Sequence, residues 1–158
     1  MKTADSQLMW DLGRPYQQGT VEFEVRGALD QEDKKVLFAL WDTDSGGKPD
    51  SGQYLQVRVM DEGMLLKVGG PEVTKPLEKH TGPLVWLGKD TWVHVKVTFD
   101  AQQGGVSRLW RDGVEVRRGK LRGSLQGLRY AFLGQDNYHN YKSIPGLMFR
   151  NLRIYDLR

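Results

Sequence analysis

The sequence predicts an all-β fold, a sandwich of two antiparallel sheets, and three observations carry that expectation. Three separate stretches alternate apolar and polar residues with a period of two: Val21, Phe23 and Val25; Leu55, Val57 and Val59; Val93, Val95, Val97 and Phe99. Successive side chains of an extended chain leave on opposite sides, so this pattern gives each strand one apolar face. Asp112-Gly113 stands between two β-prone runs, 109–111 and 114–116. A two-residue type I′ turn needs positive φ at both central positions, and this pair supplies it. Finally, 19 Gly and 6 Pro are spread through the 158 residues, and no stretch shows a helical period. Strands at short regular spacing with one apolar layer between two sheets fit this length.

The elements follow in order. Leu8, Trp10 and Leu12 alternate before the Gly13 and Pro15 break, giving a short first strand, and residues 19–26 give a second with Glu22, Glu24 and Arg26 on its polar side. Residues 35–41 are apolar on both faces, as in a central strand lying under a further layer. Tyr54, Gln56 and Arg58 alternate outward from Leu55, Val57 and Val59, and Asp61-Glu62-Gly63 turns the chain into a partner strand at 64–68. Gly69-Gly70-Pro71 and Lys75-Pro76 cut the next segment into short pieces, with a candidate strand at 84–87. Residues 91–116 read as three consecutive antiparallel strands joined at Gly104-Gly105 and Asp112-Gly113, and the basic run Arg117-Arg118-Gly119-Lys120 reads as a charged turn or edge. Residues 128–134 put Tyr130 and Phe132 on one face and Ala131 and Leu133 on the other, and residues 147–157 form the last strand, with Leu152 and Ile154 together.

Composition narrows the function. There is no cysteine, hence no disulfide, thiolate nucleophile or cysteine metal site. The net charge of +3 is spread among interspersed acids, which argues against a nucleic-acid partner. No apolar run is long enough to insert in a bilayer, and the chain starts without a signal peptide.

Four groups of residues invite a chemical reading. Glu22 and Glu24, two apart, have the types of a glycosidase acid and base, but a solvated strand face is the plainer reading. Asp42 and Asp44 before Ser45-Gly46-Gly47 resemble the start of an oxygen-ligand calcium loop, and a turn-rich surface loop explains the same residues. No cofactor is required, and structural calcium is the one candidate. Trp92 and His94 on one strand and Tyr54 and Arg58 on another offer rings, a donor and a cation. The segment 135–142 gathers Asn137, Tyr138, His139, Asn140 and Tyr141, amides beside flat rings, as sugar recognition uses. The same loop could instead fold its tyrosines back over the core.

The run from Trp92 to Asp100, Leu109-Trp110-Arg111-Asp112-Gly113, the closing Phe149-Arg150-Asn151-Leu152-Arg153-Ile154-Tyr155-Asp156 and the early strand at 19–25 together resemble laminin G-like domains of the concanavalin A-like lectin and glucanase superfamily. The resemblance runs through most of residues 1–158 in the right order and implies a single jelly-roll domain. Such domains include carbohydrate-binding modules, lectins, adhesion modules, hydrolases and polysaccharide lyases. The acidic array of the glucanases, the lyase motifs and the galectin signature are missing here. By elimination the resemblance implies a monomeric, noncatalytic module for a polysaccharide or other glycan, acidic or neutral, cut from a larger secreted bacterial protein and working outside the cell or in the periplasm. Its ligand residues would come from Tyr54, Arg58, Trp92, His94, Asn137, Tyr138, His139, Asn140 and Tyr141. Two alternatives stand beside it. A small lyase or hydrolase would use Tyr138 or His139 to move a proton while Arg58 or Asn137 neutralises a uronate. A protein-interaction or adhesion module would use the same loops against a polypeptide.

Overall fold

The computed structural model describes residues 8–27, 35–43, 45–60, 63–69, 91–120, 127–134 and 147–158. Every regular element among them is a strand: β1 (Leu8–Tyr16), β2 (Gln18–Arg26), β3 (Lys35–Thr43), β4 (Pro49–Met60), β5 (Gly63–Gly69), β6 (Val93–Asp100), β7 (Val106–Arg111), β8 (Val114–Lys120), β9 (Leu128–Leu133) and β10 (Met148–Tyr155). They form two five-stranded antiparallel sheets, ordered β1-β9-β3-β4-β5 and β10-β2-β6-β7-β8. The candidate strand at 84–87 lies outside the described residues.

Alternation in the sequence becomes the core. Val21, Phe23 and Val25 of β2 pair with Val97, Val95 and Val93 of β6, and all six are buried. Leu55 and Val57 of β4, Leu37, Phe38 and Leu40 of β3 and Ala131 and Leu133 of β9 meet them from the first sheet in one continuous cluster. Phe23 lies at its centre, its ring 5.8 Å from that of Phe38 and 5.9 Å from that of Phe149. Apolar surface removed from water on both inner faces is what holds the sheets together.

The three-strand reading of the central stretch holds. Asp112 and Gly113 turn β7 into β8 with φ of 49° and 81°, both positive as the type I′ geometry requires. Asp112 also ties the turn to the next strand. Its Oδ1 accepts the His94 N–H at 2.9 Å, and its own N–H donates to the His94 carbonyl at 2.9 Å. The basic run 117–120 is part of β8, an edge strand, where Arg118 pairs with Glu115 at 2.7 Å.

β10 contains a bulge. Arg150 pairs with Glu24 and Arg153 with Glu22, so Asn151 and Leu152 together oppose Phe23. Asn151 has φ of 55°, the left-handed conformation an asparagine tolerates better than most residues. The extra residue shifts the phase of the strand, so Phe149 packs on the core and so do Leu152 and Ile154.

Candidate functional site

The first sheet has a second apolar cluster on the side facing away from the sandwich core. Trp41 pairs with Tyr130 and Ala39 with Phe132 across β3 and β9, and these four, with Val36, are buried at 0–8% exposure. The ring centroids of Trp41 and Phe132 are 4.3 Å apart, and the Tyr130 hydroxyl donates to the Gly47 carbonyl at 2.6 Å. Residues 35–41 are apolar on both faces because both faces are covered.

Strand register extends this cluster into three rows that cross the sheet. One row runs Asp11, Tyr130, Trp41, Tyr54 and Gly69. The next runs Met9, Phe132, Ala39, Gln56 and Lys67. The third holds Val36, Arg58 and Leu65. Gln56 is fully buried among them. Tyr54 and Arg58 are thus the β4 members of rows whose β3 members are Trp41 and Val36. At the β1 end, Arg129 donates from Nε and Nη2 to both oxygens of Asp11, at 2.7 and 2.8 Å. That guanidinium, with the Gly13 N–H, holds the Asp11 carboxyl at about 2. A depressed carboxyl contributes stability fully above its ordinary value of 3.8 and loses it as pH falls through about 2. Asp11→Asn should therefore be less stable than the parent in urea at pH 7, with the difference vanishing at about pH 2. A difference independent of pH would show that the pair does not act through its charge.

Trp92 and His94 lie elsewhere, on the outer face of the second sheet. Here β2 and β6 align Glu24 with His94 and Glu22 with Lys96. Arg150 donates to both Glu24 oxygens at 2.9 and 3.0 Å, and Asn151 Nδ2 donates to the same carboxylate. These two partners hold the Glu24 carboxyl below the usual glutamate range. Glu22 accepts the Tyr155 hydroxyl at 2.7 Å and lies 3.8 Å from Lys96 Nζ and 3.9 Å from His94 Nε2. The Tyr155 hydroxyl, donating to that carboxylate and partly buried, is pushed up to about 12. Glu22 and Glu24 are therefore the anionic knots of a strand-face network. The Trp92 ring carries two guanidinium groups, Arg150 at 4.1 Å and Arg26 at 5.2 Å from its centroid.

The nine candidate ligand residues consequently divide. Tyr54 and Arg58 belong to the first sheet and Trp92 and His94 to the outer face of the second, while Asn137, Tyr138, His139, Asn140 and Tyr141 lie outside the described residues. Of the calcium candidates, Asp42 is buried with its Oδ1 accepting the Thr43 N–H at 2.7 Å, and Asp44 lies outside the described residues. Among the described residues no three acidic or histidine side chains are grouped to hold a metal. Sequence reasoning missed Arg26, Arg150 and Asn151. The one signal for Asn151 was the phase break between Phe149 and Leu152.

No family model matches the chain, and no curated protein does. Solved structures do. An endo-β-1,4-glucuronan lyase from the fungus Trichoderma reesei superposes with a TM-score of 0.61 at 11% identity, over 94% of this chain and 73% of that one. The alginate lyase Aly36B, solved with an alginate trisaccharide, gives 0.59 at 13% identity, over 92% and 73%. The receptor-binding domain of botulinum neurotoxin D gives 0.64 at 13% identity, covering 97% of this chain and 38% of that one. At such identities the likeness speaks for the fold alone. The chain is a two-sheet antiparallel jelly-roll sandwich.

Proposed function

We propose that the chain is a noncatalytic carbohydrate-binding module whose ligand is a polysaccharide, held at the β4 side of the first sheet, beside its covered aromatic cluster. The observation that carries this is the register, which puts a ring-bearing residue and a cationic one, Tyr54 and Arg58, four positions apart on the same side of β4, in line with the buried Trp41 and Val36 of β3. A ring gives an apolar platform, and the cationic residues Arg58 and Lys67 in those rows suit an acidic sugar. Shared architecture with proteins that act on glucuronan and alginate supports the ligand class. The noncatalytic part is supported by Asp11, Glu22, Glu24 and Glu115, each tied to a cation within a strand face. On this reading the module works as a monomer outside the cytoplasm, where such polymers are met.

Calorimetric titration with alginate, glucuronan and a neutral glucan tests it. Tyr54→Ala and Arg58→Ala should each weaken binding by about tenfold or more with the melting temperature kept, since one ring or one charged contact contributes roughly 1–3 kcal/mol. Tyr138→Ala and Tyr141→Ala ask the same of the late loop. Parent-like binding by all four variants would sink the proposal. A second reading, a small lyase, is favoured by the two lyases, which this chain covers to 73% of their own length. Unsaturated uronate ends accumulating in the same mixtures would replace binding by cleavage.

A further inference from the structure

The outer face of the second sheet holds features that the proposed site does not use. Among the described residues its rows carry seven cationic side chains, Arg26, Lys96, Arg108, Arg118, Lys120, Arg150 and Arg153, against four carboxylates, Glu22, Glu24, Asp100 and Glu115. Glu22, Glu24 and Glu115 are shared out to Lys96, Arg150, Arg108 and Arg118, and Asp100 accepts the Gln18 amide. Arg26 has no carboxylate partner among the described residues. It stacks on Trp92, and its Nη2 approaches only the Met148 sulfur, at 3.7 Å.

The stack matters because it fixes a guanidinium without consuming its donors. A ring face attracts the cation while leaving its in-plane N–H groups open to a bidentate anion. Arg150, over the same ring, commits Nε and Nη2 to Glu24, which leaves Nη1. A second cation–ring pair lies further along the face, where Lys96 Nζ is 5.6 Å from the Trp110 centroid. Trp110 pairs with Lys96, four residues along β6 from Trp92, so the two pairs are separated by about 13 Å along the strand. A single small anion cannot reach both, whereas a linear polymer with repeated charges can, and linkage makes the second contact intramolecular. Between the cations, Glu22, Glu24 and His94 offer acceptors for hydroxyl groups. Charge and spacing therefore fit a polyanion that carries hydroxyls between its charges.

We propose that this face is a second glycan-binding surface, taking a linear acidic polysaccharide whose carboxylate or sulfate groups engage Arg26 beside Trp92 and Lys96 beside Trp110. The surface is independent of the site proposed on the first sheet.

Titration of the whole chain with alginate polymer, a monomeric uronate and poly-glutamate tests it, using the parent, Arg26→Gln, Lys96→Gln and Arg58→Ala. The polymer should bind and the monomer should not. Arg26→Gln should weaken polymer binding about tenfold with an unchanged melting temperature, Lys96→Gln should weaken it less, and about 1 M salt should remove the contribution. If Arg58→Ala alone weakens binding, the second surface does not exist and the first-sheet reading stands. If Arg26→Gln alone weakens it, the first-sheet reading fails and this one stands. Monomer binding as tightly as polymer, or poly-glutamate as tightly as alginate, would overturn the proposal, the latter by showing that an acidic polypeptide is read equally well.

Discussion

Phe23→Ala should bring the chain to the edge of unfolding at room temperature. The residue has no exposed surface, and it packs on Phe38 from the opposite sheet and on Phe149 from the neighbouring strand. Truncating a buried phenylalanine costs about 3–5 kcal/mol, the lost transfer energy plus the cavity left behind. A native domain holds only about 5–15 kcal/mol in total, so this single cavity takes a large part of it. Urea unfolding of Phe23→Ala should show a midpoint far below the parent's, or no folded baseline. Phe23→Leu, which keeps most of the volume, should recover more than half of the loss. A loss below about 1 kcal/mol for the alanine variant would mean that the two sheets close over the gap, and the packing described above would be wrong.

Gly127→Ala is expected to have the second largest effect, from two causes that can be separated. Gly127 has φ of +139°, a conformation open almost only to glycine, and an added Cβ would lie 2.8 Å from Pro15 Cβ and 3.1 Å from the Tyr16 nitrogen. A side chain forced into such a backbone region costs about 1–3 kcal/mol, and the contact with the end of β1 adds to it. In a chain of this size the melting temperature should fall by roughly 5–10 °C. Gly13 gives the control, since its φ of +86° is also positive but nothing lies within 4 Å of its added Cβ. Gly13→Ala should therefore show the backbone cost alone. Equal losses for the two variants would remove the steric part of the argument.

Much of the architecture could be read from the residues because strand alternation and turn chemistry are local. Val21-Phe23-Val25 against Val93-Val95-Val97 needed only a period of two, and Asp112-Gly113 only its φ requirements. Even the covered outer face of the first sheet was visible in residues 35–41, apolar on both sides. The site was less legible for a physical reason. Alternation tells inward from outward, but a sandwich has two outward directions. Tyr54 and Trp92 both read as outward, and the fold sends them to different sheets. The clustering of Arg26, Arg150, Asn151 and Glu24 around Trp92 depends on register between strands more than a hundred residues apart in sequence. No local pattern encodes that register.

The bulge in β10 has a consequence for insertions and deletions. Strike Asn151 from the strand and what remains is Met-Phe-Arg-Leu-Arg-Ile-Tyr, which alternates without a fault: Phe149, Leu152 and Ile154 on one side, Arg150, Arg153 and Tyr155 on the other. Asn151 behaves as a residue slipped into a regular strand, and its presence lets Arg150 and Asn151 both reach Glu24. Deletion of Asn151 leaves every core residue in phase, whereas deletion of Arg153 turns Ile154 out of it. The strand therefore contains one position where the chain length can change without disturbing the interior, and that position faces the Trp92 surface.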